Sequence, residues 1–263
     1  MDRNLILGLL GVCLVVSLFW WFLGRGERLR WFVYYGPGLT PADFQNIDIA
    51  ILEPEHMEVS NLKNGRTRFF GYVSVGEVND SRDYWQSLQG KNVVVEKNAN
   101  WPGAWRVDIR SKVWQDILLN QVIPSVIAKG YDGVFLDTVD TPLELETREP
   151  ERFAGSKSAT ISFVRTLKQK FPDLLILTNN AFEILEDYGD IIYGEVTEDV
   201  DTLYKEACLD RFKNKFHKPV LNILYGNAID DPVSLYAIRR SRQKGYNWYL
   251  TTRDLQKIGT IQK

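Results

Sequence analysis

Eight short apolar runs, rich in β-branched and aromatic residues, recur along the chain, and segments with helical spacing separate most of them. They are 30–35 (RWFVYY), 47–53 (IDIAILE), 68–75 (RFFGYVSV), 133–138 (GVFLDT), 174–179 (LLILTN), 191–196 (IIYGEV), 220–225 (VLNILY) and 248–251 (WYLT). A shorter run, 105–109, falls in the long third connection. Residues 111–129 carry Val113, Ile117, Leu118, Val122, Val126 and Ile127 on one helical face, and 158–171 carry Ile161, Val164 and Leu167 likewise. Apolar strands alternating with helices predict a parallel sheet covered on its outer face. Eight of them predict closure into a single (β/α)8 TIM barrel over residues 30–263.

The first residues follow a different pattern. Residues 4–24 (NLILGLLGVCLVVSLFWWFLG) carry no charge and are long enough to span a bilayer as a helix. Trp20, Trp21 and Phe22 end the run, and Arg25, Arg28 and Arg30 follow it. A cleaved signal peptide has a shorter apolar core and a small-x-small site, which is missing before Arg25, so residues 1–29 read as a transmembrane anchor with a short linker. The arginines after the run favour a cytoplasmic barrel by the positive-inside tendency, whereas the chemistry below favours an extracytoplasmic one.

Composition removes several function classes. Among 263 residues, 32 Lys and Arg nearly balance 34 Asp and Glu, which leaves no basic field for a phosphate backbone and argues against a nucleic-acid partner. His56 and His217 lack a second ligand at metal-binding spacing, so no metal or other cofactor is expected. Cys13 and Cys208 do not make a disulfide framework.

In a barrel of this kind the active site lies at the C-terminal ends of the strands. Those ends are strongly acidic: Glu53, Ser74 with Glu77, Asp137 with Asp140, Asn179 with Asn180, Glu195 with Glu198, and Thr251 with Asp254, joined by Tyr34, Tyr35 and Tyr225. One Asp at a strand end commonly caps the next turn. Carboxylates recurring at one end of several strands are costly to bury together and point to chemistry. Glycoside hydrolysis needs two of them, one protonated to serve the leaving oxygen and one ionised to attack carbon or activate water. Tyr34, Tyr35, Tyr72, Trp101, Trp105, Tyr225 and Trp248 lie near these ends, where core packing and sugar contact are both open to them.

The motifs YVSVGEVNDSRDYW (72–85), WRVDI (105–109), GYDGVFLDTVDT (130–141), LLILTNN (174–180) and GDIIYGEVTED (189–199) resemble those of the endo-α-1,4-polygalactosaminidases, glycoside hydrolase family 114. The likeness runs from about Trp31 onward and thins after Tyr225. It implies a barrel that cleaves α-1,4-linked galactosamine polymer, with Asp137 on the fourth strand as nucleophile and Glu195 on the sixth as acid/base. Glu77, Asp80, Asp108, Asp140 and Asn179 match polar motif positions and are expected in the substrate groove, together with Tyr35, Glu198 and Tyr225. Glu195 and Glu198 compete for one role. Glu195 falls inside the predicted strand and Glu198 a turn beyond it. An acidic groove also suits a cationic polymer. A tethered, non-catalytic polysaccharide-binding barrel is the alternative, and the missing His ligands speak against a metal-dependent deacetylase.

Overall fold

The structure is a computed structural model that describes residues 28–200, 202–226 and 228–262. The expected anchor over residues 4–24 lies outside them. Among the described residues no helix is long and apolar enough to cross a membrane.

Eight parallel strands follow one another around the core in chain order: β1 (Trp31–Tyr34), β2 (Ile49–Leu52), β3 (Arg68–Ser74), β7 (Gly133–Asp137), β8 (Leu175–Asn179), β9 (Gly194–Glu198), β10 (Val220–Tyr225) and β11 (Asn247–Thr251). Side chains help close the ring between β1 and β11. Trp31 Nε1 donates to the Asn247 carbonyl at 3.1 Å, Tyr249 OH donates to the Val33 carbonyl at 3.3 Å, and the Leu29 amide donates to Asn247 Oδ1 at 2.9 Å. Two further elements depart from a bare barrel. The third connection folds as a small antiparallel sheet in the order β4 (Glu77–Asn79), β6 (Ala104–Val107), β5 (Val94–Lys97), and β12 (Thr260–Ile261) pairs antiparallel with β11.

The sixth strand starts three residues later than its apolar run suggests. Ile191 and Ile192 belong to a turn, where the Ile191 amide donates to the Tyr188 carbonyl, and Tyr193 packs on Phe70 with ring centroids 5.5 Å apart. The strand begins at Gly194, where a Cβ would stand 2.7 Å from the Pro219 carbonyl oxygen. Only glycine permits that approach.

The crossover helix before β7 also shifts its phase. Lys112–Ile117 continues through a π turn, Leu118–Val122, into Ile123–Ala128. Pro124 has no N–H to return to the preceding turn, and the wider π turn takes up an extra residue just ahead of it. The buried face is therefore Trp114, Ile117, Leu118, Leu119, Ile123 and Val126, while Ile127, expected inward, is exposed. Helix Ser156–Lys170 keeps its expected face, with Phe163, Val164 and Leu167 buried and Ile161 half-buried.

Candidate active site

Residues level with each other on neighbouring parallel strands share a face, and faces alternate along each strand. Ser74 is level with Asp137, Asn179 with Val196, and Ile223 with Glu198. Tyr35, Glu53, Tyr72, Ser74, Asp137, Asn179, Glu198, Ile223 and Tyr225 thus come together from seven strands as the floor and walls of a cavity of ≈ 870 Å³. Glu77, Asp140 and Glu144 form part of its rim.

Thr138, Asn180 and Asp199, which directly follow Asp137, Asn179 and Glu198, all have left-handed backbones with φ of 56°, 54° and 38°. The chain turns away immediately after each site residue. Such φ values are costly for residues with a Cβ, most of all β-branched threonine, and neighbouring groups hold each one. The Gly76 amide donates to Thr138 Oγ1 at 2.9 Å, Thr197 Oγ1 donates to Asn180 Oδ1 at 3.1 Å, and the Tyr225 amide donates to Asp199 Oδ1 at 3.0 Å.

At the floor, the Asn179 amide nitrogen donates to Asp137 Oδ1 and to Glu198 Oε1, both at 3.1 Å. That fixes the orientation of the amide, because only its NH2 end can face two carboxylates. The Tyr72 hydroxyl contacts Asp137, and the Tyr225 hydroxyl contacts Glu198. Burial, then the nearby Glu198 charge, push the Asp137 carboxyl up to about 7. Burial, Glu198 and Glu144 push Asp140 up to about 6. Among the described residues no ion pair joins Asp137, Asp140 or Glu198 to a cation.

The two walls are neutralised differently. Arg82 grips Glu53 through both guanidinium nitrogens, at 3.1 and 2.9 Å, and reaches Glu55 at 2.7 Å. On the far side Arg106 lies 2.9 Å from Glu144, 3.3 Å from Glu96 and 4.0 Å from Glu77. Among the described residues the floor carboxyls Asp137, Asp140 and Glu198 stay without an ion-pair partner, and a third guanidinium, Arg253, joins the lining by stacking on Tyr225, 4.5 Å from its ring centroid.

Tyr35, Glu77, Asp140, Asn179, Glu198 and Tyr225 are thus at the cavity, as the sequence suggests. Three other expectations are corrected. Glu195 is three residues from Glu198, an odd number, so the two side chains leave opposite faces of β9. It is level with Thr178, is fully buried between sheet and helices, and accepts a hydrogen bond from Thr178 Oγ1. Burial there raises its carboxyl well above the usual carboxylate range. Asp80 is outside the cavity lining, bound by Trp105 Nε1 at 3.3 Å. Asp108 is also outside it, locked in a fork with Arg110 at 2.9 and 2.7 Å. Burial alone would raise the Asp108 carboxyl, but Arg110 overrides it and holds it below the ordinary range.

Arg82 was missed because nothing in its spacing marks it. Its partner Glu53 is 29 residues away. Tyr72 was visible as an aromatic at a strand end, and its parity with Ser74 was the usable signal.

Residues 19–263 match the model of glycoside-hydrolase family GH114. The fold is similar to the glycoside hydrolase domain of PelA from Pseudomonas aeruginosa (23% identity, TM-score 0.75, covering 88% of this chain and 97% of that one). It is also similar to Ega3 of Aspergillus fumigatus, solved in complex with galactosamine (18% identity, TM-score 0.73, 89% and 95% covered). An uncharacterized protein of Deinococcus radiodurans is 26% identical over 76% of this chain and 69% of its own length.

Proposed function

The chain belongs to glycoside-hydrolase family GH114 and is a glycosidase, and on that premise we propose that it hydrolyses α-1,4-linked galactosamine polymer with Asp137 and Glu198 as the reacting carboxylates. The observation that carries the pair is the Asn179 amide, bonded at 3.1 Å to both. The two N–H bonds of a planar amide diverge by about 120°, so the two oxygens stand roughly 5 Å apart, near the separation of retaining rather than inverting glycosidases.

In this reading Asp137 is the nucleophile. Asn179 and Tyr72 supply donors that favour its ionised form, and a bound ammonium sugar adds positive charge beside it. The carboxylate attacks the anomeric carbon and the C1–O bond breaks. With Asp137 ionised beside the ammonium sugar, the one proton of the Asp137–Glu198 pair sits on Glu198, which gives it to the departing sugar oxygen and then takes one from the water that cleaves the glycosyl–Asp137 ester. The substrate class rests on the cluster of floor carboxyls without ion-pair partners, which a cationic sugar would complement, and on the galactosamine bound by the similarly folded Ega3.

Incubating the protein with partly deacetylated galactosamine polymer should release short oligosaccharides, while D137N and E198Q should release them at least about a hundredfold more slowly. An intact polymer after exposure to active wild-type protein would end the substrate proposal. The same reading has residues 4–24 tether the barrel outside the cytoplasm. C-terminal reporter fusions test this, and activity of a reporter that works only in the cytoplasm would reverse it.

A further inference from the structure

The Asn98–Gly103 segment links β5 to β6 and overhangs the cavity from its Arg106 side, with Trp101 near its tip. Trp31, Trp114 and Trp248 are essentially buried, yet Trp101 is 57% exposed. Among the described residues it is the one large exposed hydrophobic side chain that also lines the catalytic cavity.

Its support is a hydrogen-bonded turn. Asn98 Nδ2 donates to both oxygens of Glu77, at 2.8 and 3.0 Å, while Asn98 Oδ1 accepts from the Asn100 amide at 2.9 Å. The Asn98 amide donates to the Ala104 carbonyl at 2.9 Å, and the Ala104 amide donates to the Trp101 carbonyl at 3.0 Å. Pro102 restricts the Trp101 backbone to extended conformations, and Gly103 makes the turn at φ 81°. Glu77 is only 8% exposed, with both oxygens taken by Asn98. Its role is therefore to fix the loop, and through it the indole.

We propose that Trp101 is a stacking platform for a sugar ring of the bound chain beyond the one at the Asp137–Glu198 pair, so that this wall reads polymer length. The proposal rests on the galactosamine-polymer reading above. A galacto-configured pyranose presents an apolar face made of its C3, C4 and C5 hydrogens, which suits an indole. An ammonium on the same ring is attracted to the indole face, where tryptophan is the strongest partner. The ring at the cleavage point is held by the floor residues and does not need Trp101.

The test measures affinities of galactosamine and of its oligomers, from dimer to hexamer, for D137N, D137N/W101A and D137N/W101F. W101A should weaken hexamer binding about tenfold and leave galactosamine itself unaffected, and W101F should recover most of the loss. Tryptophan fluorescence should change on hexamer binding to D137N and not to D137N/W101A. An equal effect of W101A at every length, or none at any, overturns the platform. Cleavage of the hexamer by the wild-type protein is read separately. Cleavage without a length-dependent W101A effect sinks the platform alone, and a Trp101-dependent affinity without cleavage sinks the polymer-hydrolysis reading alone.

Discussion

Replacing Glu195 by Gln separates the two glutamates of β9 by thermodynamics. Burial holds the Glu195 carboxyl neutral well above the usual carboxylate range, whereas in the unfolded chain it ionises at the ordinary glutamate value of 4.5. A raised folded pKa means that the unfolded state loses its proton first as pH rises. Stability from this group is then complete below about 4.5 and declines as pH climbs toward the folded value, by about 1.4 kcal/mol per pH unit. E195Q keeps the shape and cannot ionise. The difference in unfolding free energy between E195Q and wild type should therefore grow in favour of E195Q as pH rises above about 4.5, by at most that slope, while contributions from Asp137 and Asp140 cancel. Urea titrations at pH 5, 6 and 7 measure it. E195Q should also retain turnover within a few-fold, because Glu195 faces away from the cavity. Parallel stability profiles would show that Glu195 is ionised in the folded protein. Combined with loss of turnover, that would restore it as a catalytic candidate.

For the free enzyme, kcat/KM should fall on the acid side of about 7, tenfold per unit, as Asp137 takes up the proton that disables a nucleophile. A fall on the alkaline side instead would make Asp137 the acid and reverse the roles. E198Q should lower kcat about a hundred- to ten-thousandfold with the melting temperature unchanged, and a smaller loss would remove Glu198 from proton transfer. R82M strands Glu53 without its fork and should cost about 2–3 kcal/mol in urea unfolding. That is below the full range for a buried pair, because the Arg82 side chain is 18% exposed. Wild-type stability in R82M would show the fork to be energetically neutral.

The barrel was legible because its strands are apolar runs bounded by polar residues, and all eight lie within a few residues of their predicted places. The site was legible in part for the same reason, since strand ends such as Asp137 and Asn179 mark the mouth. The sixth strand broke the logic. Its apolar residues Ile191 and Ile192 pack in a turn, and a shift of three residues reversed the parity of every side chain that follows. The acid at the cavity is therefore Glu198, the residue the pattern had set beyond the strand. Asp80 and Asp108 failed for another reason. Each is an acid beside the groove whose charge is engaged by a local partner, Trp105 or Arg110, and only three-dimensional packing shows that engagement. The Pro124 phase shift was in principle readable, since proline inside a helical pattern signals a disturbed turn.

In the proposed reaction Asp137 attacks the sugar and Glu198 handles the proton. Peptide mass mapping of E198Q, after reaction with an activated galactosaminyl fluoride whose departure needs no acid, tests it directly. One galactosaminyl mass added to the peptide carrying Asp137 is the predicted result. The same mass on a Glu195 peptide, or release of inverted product with no adduct at all, would contradict it.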